Sequence, residues 1–510
     1  MNDLIRWEFI EKREYQINIA KNALKRNTLV VLPTGMGKTL IGIMVAAKRL
    51  EIFPESKILF LAPTKPLCAQ HKRTFEKLTT LDPNDICLVT GKIRPEKRKS
   101  LYEQSKVIVA TPQTIENDVK GGRLSLSDFS LIIFDEAHRA VGAYAYNFIA
   151  KNYLQTSRFP LILALTASPG GTAEKIEEIR KNLFIKQVEV RTERDEDVRK
   201  YVKGVKKEWI YVELPEEWLM IKGLLEKVVK ENLDWLKEHG LISKKRMGKA
   251  DILKLQAKIA EHYRMHKSSF LGIAMSKAAE VVKIEHALEL LETQDIESVR
   301  NYFEKLRKSK KRVDRRIYND LRIRDCIELI DNLEESKKEH PKMKVLRDLV
   351  KALLKRNPEA KIIIFANFRE TVEKIKEILR SEDVKTEVLI GQATRGKKGM
   401  KQEEQIEILK RFERGDFNVL CGTQITEEGL DVPAVDYAIF YEPVPSEIRN
   451  VQRRGRVGRQ TSGKIFFLIT KGTRDEAYYW AAFHKERKMR KILYSMKDKE
   501  IKRTLLDWLK

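Results

Sequence analysis

The chain has 510 residues, 42% of them hydrophobic, so it can build the cores of roughly two to four domains and is not a disordered polymer. Lysine and arginine number 100 against 74 aspartate and glutamate, a surplus of 26 positive charges. A solvated Lys- and Glu-rich surface explains the 34% charged fraction but not the imbalance of sign, which points to a polyanionic partner such as nucleic acid.

Four cysteines (Cys68, Cys87, Cys326 and Cys421) lie far apart and form no C-x-x-C pair, which argues against structural zinc and a secreted disulfide framework. No apolar run approaches the roughly 20 residues of a membrane span, and MNDLIRWEFIEKREYQ has no signal-peptide core. The expectation is an intracellular protein of the cytoplasm or nucleoid with no membrane partner.

From about Thr28 to Val190, apolar bursts alternate with helical or loop material: TLVVL (28–32), KILFLA (57–62), KVIVA (106–110), LIIFD (131–135) and LILAL (161–165). Each is aliphatic on both faces, as parallel strands covered on both sides are. A second such stretch starts near Lys361, with KIIIF (361–365), TEVLI (386–390), NVLCG (418–422), YAIFY (437–441) and KIFFLI (464–469). Between them, from about Val205 to His340, glycines are few and apolar residues recur at helical spacing, as in Leu253, Ala257, Ala260 and in Ile284, Leu288, Leu291. The predicted architecture is α/β: a first parallel-sheet domain (1–204), an all-helical domain inserted after it (205–340), and a second parallel-sheet domain with C-terminal helices (341–510). The chain ends on DWLK with no helix-stopping Gly or Pro, and the natural chain is expected to continue past Lys510.

The burst TLVVL runs into Pro33-Thr34-Gly35-Met36-Gly37-Lys38-Thr39 and then a helical pattern. Strand, glycine-containing loop and helix are the setting of a P-loop: backbone N–H groups wrap phosphates and the helix N-terminus adds its positive end. Lys38 is expected on the β- and γ-phosphates of ATP and Thr39 on Mg²⁺. Leu32 stands where the general motif has its first glycine. About a hundred residues on, LIIFD ends in Asp135-Glu136-Ala137-His138. Open α/β sheets bind ligands at the carboxyl ends of their strands, so Asp135 is expected to complete the Mg²⁺ site and Glu136 to take a proton from the attacking water. His138 could equally satisfy a local hydrogen bond. The run Gln452-Arg453-Arg454-Gly455-Arg456-Val457-Gly458-Arg459 is either a solvated basic turn or an arginine finger from the second half; the spacing of Arg453, Arg456 and Arg459 favours the finger.

With these residues the chain resembles superfamily 2 helicases of the DEAH-lettered kind, across nearly all of both α/β halves. Tyr15-Gln16 resembles the adenine-reading Gln motif; Ala62 to Leu67 (APTKPL) and Thr111 to Thr114 (TPQT) resemble strand-gripping motifs; Thr166-Ala167-Ser168 resembles the motif linking hydrolysis to unwinding. Phe365 to Thr371, Thr423 to Pro433 and the arginine run are similar to the fourth, fifth and sixth motifs. The stretch from Gly391 to Gln405, EEGLDVP and the helical insertion are most similar to the archaeal Hef helicase and the Fanconi anaemia M translocase, with the RIG-I-like and Dicer helicases similar in both respects.

The resemblance implies two RecA-like domains. It also implies ATP contacts from Gln16, Thr34, Gly35, Gly37, Gly429 and Asp431, a water oriented by Gln452, and phosphates met by Arg456 and Arg459. Lys65, Thr111, Arg369 and Thr423 become candidates for a sugar-phosphate track, gripped with little sequence preference. In the insertion, Lys305 to Arg316 carries a single acid, Asp314. Its Lys308, Lys310, Lys311 and Arg312 are either a solvated face or a holder for a duplex arm. The function implied is an ATP-dependent helicase or translocase on forked or branched DNA in fork repair and recombination. A nuclease region on the same natural chain and a sliding clamp or other repair proteins are the implied partners. A motor driven by double-stranded RNA is the alternative, and no residue excludes it. A binding protein with a dead ATPase site does not fit the intact Lys38, Asp135, Glu136, Gln452, Arg456 and Arg459.

Overall fold

The computed structural model describes residues 4–193, 195–201, 206–242, 249–293, 296–336, 338–391, 399–423, 433–442 and 463–508. They form two compact units: residues 1–208, 359–466 and 478–510 in the first, residues 209–358 and 467–477 in the second.

The first unit holds a seven-stranded sheet of order β3-β4-β2-β5-β6-β1-β7. Its strands are β1 (Thr28–Val31), β2 (Lys57–Leu61), β3 (Ile86–Val89), β4 (Val107–Ala110), β5 (Phe129–Phe134), β6 (Ile162–Thr166) and β7 (Gln187–Val190). All six pairings are parallel, for example Val31 beside Thr166 and Phe134 beside Ala164. Helices cover both faces, so two separate apolar cores form: Leu29, Leu59, Ile132 and Phe134 point into one, Val30, Phe60, Ile133 and Leu165 into the other. That alternation explains why the central strands read as continuous apolar runs. β3 and β7 escape that reading because they are the two edge strands of the sheet, and β7 carries Glu189 in its middle.

The second sheet has the order β10-β11-β9-β12-β13-β8. It comprises β9 (Ile362–Phe365), β10 (Thr386–Leu389), β11 (Val419–Gly422), β12 (Tyr437–Phe440), β13 (Lys464–Thr470) and β8 (Lys206–Val212). β8 corrects the helical reading of the insertion's first residues. In KKEWIYV, Trp209 and Tyr211 are exposed while Ile210 is half-buried and Val212 buried, a strand's period-two pattern written in aromatic and β-branched residues.

The helix Arg474–Trp508 is not an appendage of the second sheet alone. Its Met489 and Leu493 are buried in a core of the first sheet, and Tyr494 Oη donates to Asp195 Oδ2 at 2.5 Å.

The second unit is a helical bundle: Glu216–Glu238, Lys249–Met265, Ser269–Thr293, Ile296–Arg307, Arg312–Tyr318, Leu321–Glu335 and Pro341–Arg356. The last of these was expected in the second sheet domain, but it groups with the bundle. Its start is set by Pro341 at the first helical position and by His340, whose Nδ1 accepts from the N–H of Lys342. Ile284, Leu288 and Leu291 line the bundle core as their spacing predicts. Leu253 and Ala257 do not: that helix buries Ile252 and Ile259, one position earlier and two later, because two apolar stripes overlap there and the β-branched one packs inward.

The bundle also buries charge. Lys342 pairs with Asp475 in full burial, and Glu292 accepts from the backbone N–H of Arg474 at 3.1 Å. Burial pushes the Glu292 carboxyl up to about 7, against the pull of Arg474 and Lys222. A carboxyl raised above its unfolded value of 4.5 stabilises the fold fully below that value, and the contribution is lost as pH rises through about 7. The unfolding free energy of the wild type minus that of Glu292→Gln is therefore expected to fall by on the order of 1–3 kcal/mol from pH 4.5 to 8 in urea denaturation. A difference that stays flat with pH would show that the native carboxyl titrates normally.

Candidate ATP site and nucleic-acid track

Strand order assembles the site. β5, β6 and β1 are consecutive neighbours, so the turns after them emerge together at one edge of the sheet. After β1, Gly35 and Gly37 adopt φ of +84° and +78°, conformations that admit glycine and few others. Gly37 caps the helix Lys38–Ile52 and opens its N-terminus toward the loop.

The Gln motif lies against this loop. Tyr15 Oη and Gln16 Nε2 both donate to the carbonyl of Met36, at 2.9 and 3.0 Å. A Cβ on Gly37 would stand 2.2 Å from Gln16 Nε2, so any side chain there would have to move Gln16, in addition to the strain of a φ of +78°. The Oε1 of Gln16, itself 2% exposed, has no hydrogen-bond partner among the described residues. An orphaned acceptor beside a glycine cradle fits a nucleotide whose base brings an amino donor. Lys38 Nζ donates to the carbonyls of Leu32 and Pro33, at 3.0 and 3.4 Å, which ties the ammonium to the loop's own backbone. Thr34 and Thr39 are part-exposed on the same loop and first helical turn.

After β5 comes the acidic pair. Asp135 is held at three points: its N–H donates to Leu61 O at 2.9 Å, its carbonyl accepts from Tyr146 Oη at 2.6 Å, and its Oδ2 meets His71 Nε2 at 2.8 Å. Glu136 sits at φ 50°, ψ 49°, the left-handed region that a non-glycine residue enters only when its surroundings hold it there. His138 Nδ1 lies 3.3 Å from both Glu136 Oε2 and Thr166 Oγ1. Thr166 Oγ1 in turn accepts from the N–H of Ser168 at 3.2 Å, and Ser168 Oγ lies 3.0 Å from Met489 Sδ. His138 therefore bridges the acidic turn to the Thr-Ala-Ser turn. Sequence reasoning left His138 undecided and missed both His71 and Met489.

The four residues expected on a sugar-phosphate track occupy equivalent places. Lys65 opens the helix after β2 and Thr111 caps the helix after β4, and β2 pairs with β4. Arg369 opens the helix after β9 and Thr423 follows β11, and those strands pair likewise. Each half thus sets its two candidates at the carboxyl ends of adjacent parallel strands, and Lys65, Thr111 and Arg369 stand at helix N-termini suited to phosphate. Thr111 is largely occupied, with Oγ1 2.8 Å from Thr114 Oγ1. Beneath it, fully buried Asp118 takes a bidentate pair from Arg98 at 2.6 and 2.7 Å and a hydrogen bond from Tyr102 Oη. Burial pushes the Asp118 carboxyl up, and the hydrogen bonds from Arg98, Tyr102 and Arg123 outweigh it and hold the group below its usual range.

Gln452, Arg456, Arg459, Gly429 and Asp431 lie outside the described residues. All four cysteines are buried thiols. Among the described residues no helix is long and apolar enough to cross a membrane, and no three His, Cys, Asp or Glu side chains cluster as a metal site.

Comparison with known proteins agrees with this layout. Residues 9–171 match the family described as Type III restriction enzyme, res subunit, and residues 341–461 the Helicase conserved C-terminal domain. Residues 217–337 match the family described as "Putative ATP-dependent RNA helicase, helical bundle". The crystal structure of the Pyrococcus furiosus Hef helicase domain is similar with a TM-score of 0.76 at 44% identity, over 94% of this chain and 99% of that one. A Methanocaldococcus jannaschii protein named "Putative ATP-dependent RNA helicase" is 44% identical across 97% of this chain and 62% of its own length. The ATP-dependent DNA helicase fml1 of Schizosaccharomyces pombe is 32% identical across 90% of this chain and 57% of its own length. The chain thus spans only 57–62% of these two relatives. It belongs to the ATP-dependent helicases of superfamily 2, in the group that contains the Hef helicase domain.

Gly37→Ala is expected to displace Gln16 or the loop and to weaken nucleotide binding by about 10-fold or more, read by fluorescent-nucleotide titration. Normal affinity would show that the loop relaxes without cost.

Proposed function

We propose that this chain is an ATP-driven motor that translocates on forked or branched DNA, in replication-fork repair and recombination inside the cell. The observation that carries the reading lies in the helical bundle. Of the basic run, Arg307 and Arg316 are engaged by Glu304 and Glu280, and Lys283 holds Asp314. Lys308, Lys310, Lys311 and Arg312, at the turn between two helices, are exposed and in no ion pair among the described residues. Four cations at one exposed turn suit a phosphate backbone better than internal packing. The DNA helicase names of the fungal relatives favour the same substrate. The RNA helicase names of the helical-bundle family and of the archaeal relative favour the second reading, a double-stranded RNA motor.

In the ATP site, Lys38 meets the β- and γ-phosphates, and Thr39 with Asp135 holds Mg²⁺. An Mg²⁺ ion held by these two side chains would supply positive charge against the phosphates. Glu136 takes the proton of the attacking water, and Gln452, Arg456 and Arg459 of the second half orient that water and steady the charge developing on the γ-phosphate. Lys65, Thr111, Arg369 and Thr423 grip the sugar-phosphate track. Glu136→Gln is expected to lower turnover by on the order of 100-fold or more while ATP still binds, whereas Lys38→Ala weakens both. Near-normal hydrolysis by Glu136→Gln would remove it from the base role.

Reversing Lys308, Lys310, Lys311 and Arg312 to Glu is expected to weaken binding to forked DNA and leave ATPase stimulation by plain single strands intact. Each lost phosphate contact should lower the salt slope by ~0.9 on B-DNA. Matched fork DNA, duplex DNA and double-stranded RNA serve as substrates. Equal loss on forks and single strands reduces the run to general attraction. Strongest stimulation by double-stranded RNA favours the second reading.

A further inference from the structure

The helix Lys65–Leu78 buries Cys68, His71 and Phe75, a stripe at helical spacing that packs under β2. Packing alone would place an apolar side chain at position 71. His71 is 4% exposed, with its ring 4.3 Å from the ring of Phe60. A polar ring at such a site costs stability unless it is bonded, and its hydrogen-bond partner among the described residues is the carboxylate of Asp135, 2.8 Å from Nε2. Ionised carboxylates only accept, so Nε2 is the nitrogen that carries the proton. The other nitrogen, Nδ1, is buried with no hydrogen-bond partner among the described residues, which gives the ring no second anchor there.

We propose that His71 is a positioning residue for the ATPase: its Nε2–H fixes the Asp135 carboxylate in the rotamer that receives Mg²⁺. The inference rests on the reading of Asp135 as a magnesium-holding residue. Backbone bonds from Leu61 and Tyr146 fix the main chain of Asp135, but neither touches the carboxylate. The carboxylate's direction is set from the helix Lys65–Leu78 instead. Residues that orient a metal-holding carboxylate typically contribute about 10- to 100-fold in metal affinity or activity.

Two substitutions separate the bond from the packing. His71→Phe keeps a ring against Phe60 and removes the donor. His71→Gln places an amide N–H near the position of Nε2. The readouts are the Mg²⁺ concentration giving half-maximal ATPase activity and the affinity for a fluorescent ADP analogue in Mg²⁺ relative to EDTA, with Asp135→Asn as reference. His71→Phe is expected to raise the Mg²⁺ requirement about 10-fold and to shrink the Mg²⁺-dependent gain in affinity, while metal-free affinity stays within about twofold. His71→Gln is expected to stay within about twofold of wild type on both. Should His71→Phe fail to fold, His71→Asn, whose amide is too short to reach the carboxylate, takes its place against His71→Gln. Equal behaviour of the donor-bearing and donor-lacking variants, or an unchanged Mg²⁺ requirement in both, overturns the proposal. If Asp135→Asn also leaves the Mg²⁺ dependence unchanged, the reading of Asp135 has failed; if only the His71 variants are silent, the inference alone has.

Discussion

Everything at the ATP site follows from the parallel pairing of β1 with β6 and of β6 with β5. Strands running the same way deliver their following turns to one edge, and register sets the height of each turn. With Val31 beside Thr166, the N–H of Leu32 can donate to Thr166 O at 3.1 Å, which brings the glycine loop level with the Thr-Ala-Ser turn. With Phe134 beside Ala164, the acidic turn comes level with the same point, and His138 closes the gap to Thr166. A slip of one residue in either pair would turn the flanking side chains to the other face and undo both contacts. Apolar burial on both faces is what prevents the slip, since the two cores need opposite alternate residues of each strand.

How much of this could be read from residues alone depended on how local the cause was. The central strands announce themselves because burial on both faces leaves no polar position. The glycine loop does so because strand, loop and helix are contiguous. Edge strands had weaker signatures: β3 and β7 are short, and β8 exposes its lysines and aromatics. The relation of Gly37 to Gln16 spans 21 positions, and only the packing of the helix Glu14–Ala23 brings them together. His71 had a local signal that went unused, a polar ring on an apolar stripe, but its meaning needs Asp135, 64 residues away. Burial of Met489 beside Ser168 had no local sign at all, since the helix Arg474–Trp508 is rich in charge and weakly patterned.

The same sheet edge concentrates buried polar groups: Gln16, His71, Asp118, Asp135, Thr166 and Ser168 are each less than one-tenth exposed. Interiors accept such groups when their bonds are met, and a met network fixes one arrangement where an apolar core would tolerate several. Asp118 illustrates the supporting part, with two arginines and a tyrosine converging under the turn that carries Thr111. Its bonds are all internal. Gln16 differs in leaving one acceptor unmet: its Nε2 is bonded within the fold, and its Oε1 has no hydrogen-bond partner among the described residues.

Glu136 shows what the bracing achieves. A left-handed non-glycine residue costs about 1–2 kcal/mol. The residue before it makes the conformation possible. Asp135 is bonded through its N–H to Leu61, through its carbonyl to Tyr146 and through its carboxylate to His71, and Tyr146 is itself fully buried. With three bonds of about 1 kcal/mol each fixing one end of the turn, and His138 held to Thr166 at the other, the chain between has little choice but to turn left-handed. The turn directs the Glu136 carboxylate to His138 and not back along the strand. Strain at Glu136 is thus a consequence of where its neighbours are anchored, and the anchors, Leu61, His71, Tyr146 and Thr166, reach into four different elements of the first sheet's domain.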